Sequence, residues 1–106
     1  MSKLQLTATD ILRSRLNQET ARLPFAELFR HFAAGSVVLV ADGLDLVEVA
    51  VQFSQDNKTQ VAQWMESGKI ARASDQDAQK WVDQAQELWA VVVSPWVLVQ
   101  ENKASA

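Results

Sequence analysis

A chain of 106 residues holds one hydrophobic core and is too short to divide into two. With 48% hydrophobic and 22% charged residues it is no disordered chain, and the lack of cysteine excludes disulfides, thiol catalysis and Cys-ligated zinc. The net charge of −3 is unevenly spread: Lys3, Arg13, Arg15, Arg22 and Arg30 outnumber Asp10, Glu19 and Glu27, and the acidic excess lies in the remainder.

The opening Met1-Ser-Lys-Leu-Gln-Leu-Thr7 has no long apolar run behind its lysine, so no signal peptide is expected. No apolar run reaches the ~20 residues of a membrane span, and a cytoplasmic protein is expected. Flexible segments are expected over residues 1–9 and 102–106, around one globular domain over 10–101. Asp10 to about Thr20 reads as a helix with Ile11, Leu12 and Leu16 on one face. Pro24 suits the first turn of a second helix, where its missing N–H costs nothing. Phe25, Leu28, Phe29, Phe32 and Ala33 follow at the spacing of a buried stripe, and Gly35 stands where the helix should stop.

Ser36-Val-Val-Leu-Val-Ala41 reads as a short central strand. Asp42-Gly43 turns the chain, and Asp45 with Glu48 three residues on resembles a capping box opening a third helix. That helix, Leu46 to Gln55, is apolar nearly all round, with Glu48, Gln52 and Gln55 as its polar strip, so it should be central. Asp56-Asn57 caps a fourth helix carrying Val61, Trp64 and Met65, which Gly68 ends. Lys69-Ile-Ala-Arg72 reads as an extended link or edge strand. Ser74 caps a fifth helix, with Ala78, Trp81, Val82 and Ala85 at core spacing and Asp75 and Asp77 favouring its N-terminus.

Leu88 to Glu101 is strand-forming throughout except at Ser94-Pro95, and a segment this apolar must be buried on both faces. Pro95 marks either a bulge in one long strand or a turn between two. Alternation places Trp96, Leu98 and Gln100 on one face and Val97, Val99 and Glu101 on the other. Three to four strands in a small sheet, packed by about five helices, make a single compact α+β domain.

Four features bear on function. Trp89, Trp96 and Leu98 mark a strand surface that serves a protein interface wherever helices leave it uncovered. Asp42, Asp45 and Glu48 gather where a strand ends and a helix begins, a place suited to a metal; turn, cap and capping box account for the same three carboxylates without one. His31 is the lone histidine, and a helix-end position explains it without catalysis. The basic residues of the first two helices form no continuous face, and the aromatics beside them fall on core stripes, which argues against nucleic acid.

Leu39-Val-Ala-Asp-Gly-Leu-Asp-Leu-Val-Glu-Val-Ala-Val51, Trp64-Met-Glu-Ser-Gly-Lys-Ile70 and Ala90-Val-Val-Val-Ser-Pro-Trp-Val-Leu-Val-Gln-Glu101 stand in this order along the chain. Together they resemble a family of small bacterial proteins catalogued as a domain of unknown function, the one numbered twenty-two eighty-eight. The resemblance covers about residues 10–101, and Ala73 departs from the proline expected before the fifth helix. It implies a bacterial, cytoplasmic, single-domain protein and supplies no activity, cofactor or catalytic residue.

The reading that follows is a non-catalytic binding or adaptor domain without a cofactor, working through protein–protein contacts or as a homodimer. Its rival is a small metal-dependent enzyme or ligand-binding domain using Asp42, Asp45 and Glu48. A weaker one is nucleic-acid binding through the N-terminal helices.

Overall fold

The computed structural model describes residues 6–102; the remainder of the two expected flexible segments, residues 1–5 and 103–106, lies outside them. In chain order the elements are α1 (Ala8–Glu19), β1 (Ala21–Pro24), a 3-10 turn (Phe25–Leu28), α2 (Phe29–Ala33), β2 (Val37–Val40), α3 (Leu46–Ser54), α4 (Lys58–Glu66), β3 (Ile70–Arg72), α5 (Asp75–Asp83), β4 (Glu87–Val93) and β5 (Trp96–Gln100). The architecture is α+β, with five α-helices and one five-stranded sheet among the described residues. None of these helices is long and apolar enough to cross a membrane.

The sheet runs β1-β4-β5-β2-β3, so the last two strands form its spine, as their unbroken apolar character requires. β4 and β5 pair antiparallel with Val93 opposite Trp96, which makes Ser94-Pro95 a two-residue turn with a cis bond and not a bulge. β5 lies parallel to β2, and the outer pairs β2–β3 and β1–β4 are antiparallel.

Helices cover both faces. On one, α1, α3 and α4 bring Leu16, Val49 and Trp64 against Val38, Val91 and Leu98. On the other, the 3-10 turn, α2 and α5 bring Phe25, Phe32 and Trp81 against Val37, Leu88 and Val97. The expected alternation in β5 holds, since Leu98 and Val97 enter opposite cores.

Several expectations fail for identifiable reasons. The sheet has five strands, not three or four, because Ala21–Pro24 pairs with β4 along the sheet's edge, where a proline is tolerated. Pro24 therefore precedes the helical turn instead of occupying its first position. The turn is 3-10, in which only every third side chain aligns, so Phe25 and Leu28 are buried while Phe29 is 57% exposed. Ala33 at the end of α2 is also exposed. In α5, Ala78 and Trp81 are buried but Val82 faces outward, and Ala85 lies beyond the helix with φ 47°. The first helix starts at Ala8, before Asp10, because Thr7 caps it and Asp10 returns the bond to the Thr7 N–H. That bond, the Thr7 hydroxyl and then Arg13 hold the Asp10 carboxyl below the ordinary aspartate range. Ile11 is exposed, leaving Leu16 as the buried anchor of α1.

Candidate binding groove

The three carboxylates before and within α3 do not converge. Asp42 accepts from the Asn102 N–H and side-chain amide, at 3.2 and 3.0 Å. Asp45 caps α3, accepting from the Val47 and Glu48 N–H groups. Glu48 does not close the box; it turns to α1, where Arg13 reaches it at 3.0 Å, and also accepts from Gln52. Gln55 likewise donates to Thr9, so the polar strip of α3 is a seam against α1 and not a free face. No group of three His, Asp or Glu among the described residues is placed to hold a metal. Replacing Asp45 by Ala should lower stability by about 1 kcal/mol, the cost of a lost N-cap, measured as a shifted urea midpoint. A loss below about 0.3 kcal/mol would show that the cap does not hold α3.

The N-terminal basic residues are largely committed too. Arg13 pairs with Asp10 and Glu48, Arg15 with Glu19, and Arg22 with Glu87. His31 is exposed on α2.

The strand surface divides. Leu98 is 0% exposed inside the core, where no partner reaches it. Trp89 is half-buried beside Arg22 at the β1 edge. Trp96 is half-buried at the opposite end of the hairpin, and there the structure opens into a groove of about 630 Å³. Val38, Ile70, Val93 and Trp96, all from the sheet, form its floor. Phe53 from the end of α3, with Val61 and Met65 from α4, forms the walls. Met65 is 55% exposed and still flanks an apolar surface, a combination suited to irregular partners.

Polar groups enter at the rim: Lys58, Arg72, Asp56, Asn57 and Ser94. The Arg72 guanidinium carbon stands 5.3 Å from the Trp96 ring centroid. A groove of this size, mostly apolar with a few polar groups, has the character of a binding site. Its polar lining is one acid, Asp56, two cations, Lys58 and Arg72, and the neutral Asn57 and Ser94.

Of this site the sequence indicated Trp96 alone. Arg72 carried a signal: two residues after buried Ile70, a strand puts it on the same face. Its meeting with Trp96 depends on β2 lying between β3 and β5, which no local pattern encodes.

A family model described as "Protein of unknown function (DUF2288)" matches residues 11–101. The solution structure of PA1075 from Pseudomonas aeruginosa is similar to the chain with 36% identity and a TM-score of 0.77, covering 99% of this chain and 97% of that one. No curated protein matches significantly.

Proposed function

The chain belongs to that family of unknown function, and from this premise we propose a non-catalytic binding or adaptor domain that docks a short segment of another protein. The observation that carries this is the groove beside Trp96, walled by α4 and floored by the sheet. The setting proposed with it is the bacterial cytoplasm, the bacterial part supported by the Pseudomonas relative.

A segment fits better than a second copy. A standard interface buries ~800 Å² on each partner, whereas this groove accommodates a few side chains. A two-fold contact also sets the same patch, with two cations and one acid on each copy, against itself, a net like-charge contact. Like charges so placed oppose association.

The test places a photo-crosslinking amino acid at Ala62, on the groove wall, and at exposed Val82 on α5 as control. One protein should crosslink from Ala62 and not from Val82. With that protein purified, Met65→Glu should weaken binding by about 10- to 100-fold, the equivalent of one lost apolar contact of ~1.5–3 kcal/mol. Equal crosslinking from both positions, or unchanged affinity, ends the reading. A doubled mass in solution that Met65→Glu returns to 11.8 kDa would make the occupant a second copy and overturn the choice of a foreign segment.

A further inference from the structure

Resting on that groove, we infer that the docked segment presents a carboxylate beside an apolar side chain, and that Arg72 is the residue that reads it. The reason is a comparison the protein makes within itself. Each hairpin-flanking tryptophan has an arginine over its ring: Arg22 over Trp89 at 6.0 Å, and Arg72 over Trp96 at 5.3 Å. At the first, the chain supplies the carboxylate, with Glu87 at 3.5 Å from Arg22. At the second it supplies none: no carboxylate among the described residues pairs with Arg72.

Cation–π attraction to an indole face holds a guanidinium in place without using its N–H donors. Their arrangement matches the two oxygens of a carboxylate better than a point charge would. Lys58 adds a second cation to the groove lining, and Asp56 is the one acid there. An anionic group therefore gains where a cationic one meets two like charges. The floor and walls beside Arg72 then require an apolar neighbour, which Met65, Val61, Ile70 and Val93 are placed to cover. The occupant is an acidic-apolar peptide segment, an Asp or Glu next to a large aliphatic or aromatic residue.

The experiment selects random ten-residue peptides displayed on phage against the immobilised full chain. The best peptide is then resynthesised with its acid changed to the amide, and both are titrated against the wild type and Arg72→Gln. Arg72 is exposed at the end of an edge strand, so the variant should fold; its circular dichroism confirms this. Enriched peptides should carry an acid beside an apolar residue. Either change alone should weaken binding about tenfold, and the two together hardly more, because they remove the same charge-assisted bond. Peptides that perturb the amide resonances of Met65 and Ile70 but lack an acid, or bind Arg72→Gln equally, overturn the inference and leave the groove in place. Selection of no peptide, or of peptides that perturb only residues elsewhere, overturns the groove reading together with it.

Discussion

Trp81→Ala should destabilise the fold by about 3–5 kcal/mol, the range for deleting a fully buried aromatic. α5 is a short helix whose mostly polar surface contributes little packing, so its attachment depends on Ala78 and Trp81. Trp81 is 0% exposed and sits 5.3 Å, ring to ring, from Phe25, the other buried aromatic of that core. Its indole N–H also donates to Glu101 at 2.8 Å. Glu101 meanwhile accepts from Lys80 at 2.8 Å, a bond that raises the lysine above its ordinary value. The alanine variant therefore opens a cavity and removes one of the donors on Glu101. Trp81→Phe separates the effects: it retains most of the volume and should cost about 1.5–3 kcal/mol, chiefly the lost N–H bond to Glu101. Urea unfolding followed by circular dichroism is the measurement, since three other tryptophans complicate fluorescence. A loss under about 1 kcal/mol for Trp81→Ala would mean that α5 is held by something other than this side chain. Against a typical total stability of about 5–15 kcal/mol, the expected loss is large enough to change the folded population at growth temperature.

The parts of this fold that were legible in sequence are those in which local periodicity and burial coincide. α3 is apolar on nearly every side and lies between the sheet and two other helices, as that composition demands. Ser74 caps α5, a purely local signal, and Asp77, read only as favouring that terminus, also closes a capping box. β1 was not legible, because Ala-Arg-Leu-Pro has no alternation and gains its strand form from β4 on one side only. Phe29 was misjudged because a 3-10 turn shifts the phase of every side chain after it. The groove was the least legible feature. Its lining comes from α3, α4 and four strands, and no local pattern tells which of these distant segments meet. Gln100 illustrates the same limit from within: alternation placed it on the face of Trp96 and Leu98, yet nothing local showed that a polar side chain there is fully enclosed.

Gln100→Leu should cost about 1–3 kcal/mol, through hydrogen bonding and not through volume. Gln100 is 0% exposed at the end of β5, and its side-chain amide donates to the carbonyls of Ala41 and Leu44, at 2.8 and 2.6 Å. Those two carbonyls bracket the turn that carries the chain from β2 into α3, and the Leu44 N–H closes that turn on Ala41. Leucine fills the space but offers no donor, so the half-buried Leu44 carbonyl loses this partner, while the exposed Ala41 carbonyl keeps the Leu44 N–H. Gln100→Glu should be worse at neutral pH, because a buried carboxylate would face the same carbonyls with acceptors instead of donors. Burial and those neighbours raise the folded-state pKa of such a carboxyl above its unfolded value of about 4.3. The penalty then applies above that folded value and is relieved as the pH falls toward the unfolded one, since the protonated acid can donate. Thermal melts at pH 7 and pH 4.5, each referred to the wild type at the same pH, should show the deficit of the Glu variant shrinking on acidification. The Leu variant, with nothing to titrate at that position, should show a deficit that does not change. If both deficits stay constant, the amide bonds to Ala41 and Leu44 are not what holds this turn. If the Leu variant is as stable as the wild type, α3 is seated by its apolar faces alone. The groove gives an independent readout, because Phe53 at the far end of α3 walls it. Under conditions where the Leu variant remains folded, peptide affinity should be unchanged, as the turn fixes where α3 begins and the core fixes where it ends.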